Sequence, residues 1–154
     1  MVSPPTDRAV GTQPDGVTIA PLGERDLPRV ADAYWRTYLG TEHEMSLADS
    51  GADVRAAWDG EYGPWLADGS LGAWRGDELV GAVLTVADAP WPDVPRGPFI
   101  IDLFVVPQAR RQGIGRALVS TVQAVLGTSV GLRVDDGATP ARALYTALGF
   151  RAVG

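Results

Sequence analysis

The chain reads as one α+β domain built on a mixed sheet, and three features of its sequence predict this. Two apolar runs, Leu71–Arg75 and Leu79–Val86, flank Gly76-Asp77 as a hairpin signal. A nearly all-apolar run, Phe99–Val106 (FIIDLFVV), has the composition of a central strand covered on both faces, and Pro107 stops it. A helix, a strand at Val130–Val134 and a further helix follow, so antiparallel strands precede a strand–helix–strand unit.

The remaining elements follow in order. Residues 1–16 (MVSPPTDRAVGTQPDG) are rich in Pro, Gly and polar side chains and are expected to be a flexible leader, with a single domain over 17–154. Val17–Ala20 is a short strand. Asp26 can cap a helix with Pro28 in its first turn, and Leu27, Val30, Ala31, Tyr34 and Tyr38 keep helical spacing. Ser50 and Asp53 resemble a capping pair for a second helix carrying Val54, Ala57 and Trp58. Four prolines make Ala87–Pro98 a loop. Ile114, Ala117, Leu118, Thr121, Val122 and Val125 mark a third helix. Thr139 caps the last helix, with Pro140 at its first position and Gly149 at its end. A final strand closes the order.

Composition excludes several chemistries. The 154 residues include no Cys, which removes disulfides, thiolate nucleophiles and Cys-based metal sites. One His, His43, makes a His-rich metal site unsuitable, and no metal is expected. No apolar run reaches the ~18–20 residues of a membrane span, so a soluble, cytoplasmic protein is expected. Net charge is −6 and every basic residue except His43 is Arg. Residues 41–69 hold seven acids against Arg55 alone, whereas Arg96 to Arg116 hold four Arg against Asp102. One end therefore suits a cation and the other a phosphate. A strongly acidic protein is a poor general nucleic-acid binder, and that partner is excluded.

The chemistry concentrates in FIIDLFVVPQARRQGIGRAL. A buried strand runs into a loop of Arg and Gly that opens directly into a helix. Amides at a helix N-terminus are unpaired and lie at the positive end of its dipole, so they suit an anion. Gly113 and Gly115 let backbone approach a phosphate, and Arg110, Arg111 and Arg116 add forked donors. A pyrophosphate ligand is expected. The dinucleotide fingerprint fails because Leu118 stands where its third Gly would fall, and the Walker loop fails because the chain has no Lys.

Arg110-Arg111-Gln112-Gly113-Ile114-Gly115 resembles the R/Q-x-x-G-x-G/A signature of the GNAT superfamily of acyl-CoA-dependent N-acyltransferases. Ala141-Arg-Ala-Leu-Tyr-Thr-Ala-Leu-Gly-Phe150 resembles its second hallmark, a helical Tyr followed by Leu-Gly-Phe. The resemblance implies a mostly antiparallel sheet flanked by helices, with a V-shaped splay between the fourth strand, Phe99–Val106, and the fifth, Val130–Val134. The pantetheine of acetyl-CoA would lie there as a pseudo-strand, paired with backbone at Phe104, Val105 and Val106. Amides from Arg111 through Gln112, Gly113, Ile114 and Gly115 to Arg116, beside Arg110, would hold its pyrophosphate. The Val105 amide would polarise the thioester carbonyl.

The resemblance gives Tyr145 the role of general acid toward the leaving thiolate. Asp102, the one ionisable side chain of the apolar strand, is a candidate base; a structural carboxylate bonded to neighbouring backbone is the alternative, with water leading to Glu61 or Asp88 as another route. Strand alternation would set Asp102 opposite Ile101 and Leu103 unless a bulge intervenes. Acceptor contacts are expected from Tyr34, Glu61, Tyr62, Asp88 and Trp91, an acidic and aromatic set that fits a cationic amine. His43, between Glu42 and Glu44, reads as a surface residue. Two departures stand out: Ala138 replaces an Asn common in the family, and the chain stops where the family has another strand. That strand is short, supplied by a partner in a homodimer, or absent. The expected activity is acetyl transfer from acetyl-CoA to a primary amine of a small molecule or peptide by direct attack. The alternative is a non-catalytic acyl-CoA-binding sensor or interaction domain.

Overall fold

Six strands form one mixed sheet in the computed structural model, which describes residues 1–3, 14–133 and 139–152. They are β1 (Val2–Ser3), β2 (Thr18–Pro21), β3 (Leu71–Arg75), β4 (Glu78–Ala87), β5 (Pro98–Val105) and β6 (Val130–Leu132), in the spatial order β1-β6-β5-β4-β3-β2. Every neighbouring pair is antiparallel except β5 and β6. Among the described residues, four α-helices flank the sheet: α1 (Leu27–Tyr38), α2 (Leu47–Trp58), α3 (Ile114–Leu126) and α4 (Thr139–Ala147). Among the described residues, no helix is long and apolar enough to cross a membrane.

The strand covered on both faces is β4. Leu79 to Val86 are eight consecutive buried residues, and α1 and α3 both pack against this strand. The expectation of full burial fell on the neighbouring strand, and it needs correcting. In β5, Ile101, Asp102, Leu103 and Val105 keep exposed area because β6 leaves its side early. Pairing between β5 and β6 is confined to Phe99 with Gly131 and Ile100 with Leu132. Beyond Ile100, β5 has no strand partner on that side among the described residues.

Local chemistry explains the helices. Leu27, Val30, Ala31 and Tyr34 bury one face of α1, as the spacing predicts. Asp26 precedes α1 without capping it; its carboxylate accepts the Gly23 N–H at 2.8 Å. The capping pair predicted for α2 is also corrected. Ser46 is its N-cap, and its hydroxyl accepts the Asp49 N–H at 3.0 Å. Ser50 lies inside the helix, buried, and donates to the Ala31 carbonyl at 2.7 Å, which fixes α2 on α1. Asp53, one turn further, is thereby free to serve the site. Ser46→Ala removes the cap and is expected to lower unfolding free energy by about 1 kcal/mol in urea titrations, with the m-value unchanged.

The start of the chain departs from the expected leader. Val2 and Ser3 pair with Gly131 and Val130, and Met1 donates its ammonium to the Leu132 carbonyl at 2.5 Å. Ser3 is buried and its hydroxyl accepts the Val130 N–H at 3.2 Å. Val2 also exchanges two backbone hydrogen bonds with Arg151, both 2.9 Å. The chain's own first residues thus lie beside β6, and the sheet draws on residues before 17. The rest of the predicted leader, residues 4–13, lies outside the described residues, as do Val134 and Ala138.

Candidate active site

The loop between β5 and α3 is built around backbone that only special residues tolerate. Val106 is fully committed: its N–H donates to the Val80 carbonyl at 3.0 Å and its carbonyl accepts the Ala109 N–H at 2.9 Å. After the short turn Pro107–Ala109, Arg111 adopts φ +65° and Gly113 φ +79°, both left-handed. A Cβ on Gly113 would meet nothing within 4 Å, so the need for glycine there is conformational rather than steric. Gly113 is the N-cap of α3, no side chain caps this end, and no acid occupies its first turn. The first-turn amides of Ile114, Gly115 and Arg116 therefore face outward at a positive helix end. Ile114 itself anchors the turn, with its side chain in the core.

Arginines converge on this loop. Arg110 spans from the loop to α1, with Nε donating to the Val105 carbonyl at 3.4 Å and Nη2 to the Thr37 carbonyl at 3.5 Å. Arg75, at the end of β3, donates to Gln112 Oε1 at 2.5 Å. Arg75 was not singled out in the sequence, where its distance from the loop along the chain conceals it.

The antiparallel ladder decides which peptide groups of β5 face the open edge. Val106 bonds to Val80, so the 80/106 and 82/104 pairs are the hydrogen-bonded ones and the 81/105 pair is not. Val105 therefore turns its N–H and carbonyl away from β4. This corrects the expectation for Phe104, whose peptide groups face β4, and for Val106, whose N–H faces β4 and whose carbonyl is spent on Ala109; Leu103 and Val105 face outward instead. Phe104 contributes its ring, which meets Tyr34 edge-on at 5.4 Å.

A bulge sets the acidic part of the site. Leu84 pairs with Asp102 but Thr85 pairs with Ile100, so Ile101 is an extra residue in β5. Consecutive Ile101 and Asp102 consequently line the same cavity of about 250 Å³, together with Asp53, Tyr62 and Trp91. Tyr62 donates its hydroxyl to Asp53 Oδ1 at 2.6 Å and stacks on Trp91, with ring centroids 6.1 Å apart and planes 24° apart. Asp102 keeps a small exposed area, yet dense protein surrounds its carboxyl. That burial, with the nearby charge of Asp53, pushes the Asp102 carboxyl up to about 8. The hydrogen bond to Asp53, and then burial, push the Tyr62 phenol up to about 12.

A second cavity of about 410 Å³ is lined by Tyr34, Tyr38, His43, Glu44 and Met45. Tyr34 links the two cavities electrostatically: burial raises its phenol, with the charges of Asp102 and Asp53 adding to the effect. Tyr145 on α4 is buried against Phe150, with ring centroids 5.6 Å apart, and burial followed by the Tyr38 neighbour pushes it up to about 12. It therefore holds its proton across neutral pH.

Two expected acceptor residues are placed elsewhere. Asp88 adopts a left-handed φ of +50°, accepts the Gly97 N–H at 2.7 Å and donates its own N–H to the Gly97 carbonyl at 2.9 Å. It clamps the base of the loop that carries Trp91 and lines neither cavity. Glu61 is exposed in the turn after α2 and also lines neither. Asp53 is the site residue that sequence reasoning missed, because it was read as part of a cap. The S-x-x-D spacing of Ser46 and Asp49 was the signal that could have freed it.

The profile of the Acetyltransferase (GNAT) family matches residues 27–150. The chain belongs to that family. Crystal structures share the fold of this GNAT chain: a Pyrococcus horikoshii protein, PH1933, is 25% identical with a TM-score of 0.73, covering 90% of each chain. The ribosomal-protein-S18-alanine N-acetyltransferase of Escherichia coli is 22% identical, TM-score 0.68, covering 90% of this chain and 79% of that one. An aminoglycoside 6'-N-acetyltransferase of Acinetobacter haemolyticus is 17% identical, TM-score 0.65, covering 89% and 92%. No curated protein sequence matches the chain. As a GNAT-type acetyltransferase it is an enzyme, and the residues described above fit the acyl donor the family uses: uncapped α3 amides and arginines for a diphosphate, and an outward Val105 peptide group for an extended amide chain.

Proposed function

We propose that this enzyme transfers the acetyl group of acetyl-CoA directly to a primary amine of a small molecule or peptide in the cytoplasm. The observation that carries the reading is the Asp102 carboxyl in an acidic, aromatic cavity on the same strand as the outward Val105 peptide group. Acetyl-CoA supplies an activated acyl group on a thiolate leaving group. The first-turn amides of α3, with Arg110, Arg111 and Arg116, hold its diphosphate, and the Val105 N–H donates to the carbonyl oxygen as charge develops there.

Asp102 does the work of the base. An alkylammonium, with pKa ~10.4, has no lone pair until it loses a proton. A carboxylate raised to about 8 accepts that proton far better than an ordinary one. As the amine nitrogen bonds to the acyl carbon and the carbon–sulfur bond breaks, Tyr145 delivers its hydroxyl proton to sulfur, and the second proton that the nitrogen sheds in becoming an amide restores the Tyr145 phenol by way of solvent. Its phenol, held up to about 12, is protonated and ready at neutral pH.

Release of CoA thiol over a panel of amines tests the reading without background, since the protein has no Cys. Amine-dependent release is the expected result. No release above hydrolysis, with acetyl-CoA still bound, would favour an acyl-CoA sensor instead. Tyr145→Phe is expected to lower kcat about 100-fold while leaving acetyl-CoA affinity within about twofold. Unchanged kcat would remove Tyr145 from the acid role.

A further inference from the structure

We infer that the acceptor carries, besides the amine that is acetylated, a second cationic group that stays charged throughout the reaction and is held by Asp53. The inference rests on the transferase reading above and specifies its substrate class.

The cavity contains two carboxylates, and the reaction needs only one. Asp102 takes the proton from the reacting ammonium, so that pair becomes neutral together. The Asp53 carboxylate faces the same cavity, and its side-chain partners are uncharged hydroxyls, those of Tyr62 and Tyr34. Among the described residues, no Arg lines the cavity. Arg133, stacked 5.0 Å from the Trp91 ring centroid, is already paired with Asp93. Arg55, in the same helix as Asp53, pairs with Glu24 and Asp59. Asp102 has no side-chain hydrogen-bond partner among the described residues. The cavity is thus left with negative charge at the moment the amine becomes neutral, and a half-buried carboxylate among aromatic side chains attracts a cation.

The walls point to the same kind of ligand. Tyr62 and Trp91 line the cavity with aromatic surface, which attracts an organic cation more than a neutral group. The space, about 250 Å³, equals about eight water molecules at ~30 Å³ each, enough for a short aliphatic ammonium. A monoamine would satisfy Asp53 only until it gave up its proton. A dibasic acceptor satisfies both carboxylates in turn, with one nitrogen reacting at Asp102 and the other remaining charged at Asp53.

The test compares chain-matched amines, putrescine against butylamine and cadaverine against pentylamine, using the full-length enzyme with saturating acetyl-CoA. The diamines are expected to exceed the monoamines in kcat/KM by about 10- to 100-fold, beyond the factor of two that two equivalent nitrogens give. In Asp53→Asn, which keeps an acceptor for Tyr62, the ratio is expected to collapse to within about threefold. Titration of putrescine into the CoA-loaded protein gives a readout free of turnover, and Asp53→Asn should weaken that binding about tenfold or more. Equal kcat/KM for diamine and monoamine in the wild type, or a preference that survives Asp53→Asn, overturns the inference and leaves the transferase intact. Acetylation of none of the four amines by protein that binds acetyl-CoA overturns the inference, and no release over the whole amine panel overturns the transferase reading as well.

Discussion

Asp102→Asn should abolish acetyl transfer and, in the same molecule, make the fold more stable at alkaline pH. The activity loss follows from removal of the base and is expected at 10²- to 10⁴-fold in kcat/KM. The stability gain follows from the direction of the shift. Asp102 is held up to about 8 in the folded protein, against an ordinary value of 3.8. Between these values the folded state binds a proton that the unfolded state has released, so unfolding free energy falls as pH rises. The penalty is absent below about pH 4 and complete above about pH 8. Each unit of displacement is worth ~1.4 kcal/mol, so realising half of it makes the penalty about 3 kcal/mol. Asparagine carries none of it. Thermal melts at pH 5 and pH 9 should show the variant's advantage widening by several degrees, and wild-type kcat/KM should rise along a limb centred near pH 8 that the variant lacks. Unchanged activity would assign Asp102 a structural role. A constant difference in melting temperature would contradict its desolvation.

Gly113→Val should damage the other half of the site. Valine is strained at φ +79°, and left-handed backbone costs a non-glycine residue about 1–3 kcal/mol. The loop would relieve that strain by moving the first-turn amides of α3, and acetyl-CoA affinity is expected to fall at least tenfold. Gly115→Ala is the matched control. Its Cβ would lie 3.8 Å from Val105 Cγ2 and 3.9 Å from Leu144 Cδ2, ordinary contacts, and stability should change by less than about 0.5 kcal/mol. Calorimetry on the two variants separates backbone conformation from the mere presence of a side chain.

The parts of the molecule that were legible in its sequence are those where one residue type meets one physical demand. A strand of FIIDLFVV stopped by Pro107, then Arg and Gly opening a helix, leaves few other readings, and β5, the turn at Pro107 and α3 follow in that order. The hairpin at Gly76, with φ +63°, was equally direct. Features set by tertiary context were not legible. Two residues, Val2 and Ser3, have no periodicity to detect, and their strand exists because β6 offers an unpaired edge. The bulge at Ile101 depends on register between β4 and β5, which alternation in one strand cannot reveal. Three candidate caps, Ser46, Ser50 and Asp53, lie within two turns of α2; choosing the wrong one concealed Asp53 from the site. Asp88 shows the converse error, a carboxylate near the right aromatics that a loop consumes for its own closure.

Calorimetric titration of the protein with acetyl-CoA, with dephospho-CoA and NAD as controls, tests the central claim most directly. Saturable binding at one site per chain, selective for acetyl-CoA over NAD and weakened by Gly113→Val, is the result that the uncapped α3 terminus and the open edge of β5 predict. A folded protein that takes up no acetyl-CoA would contradict the assignment of that loop, and with it the roles given to Val105, Asp102 and Tyr145.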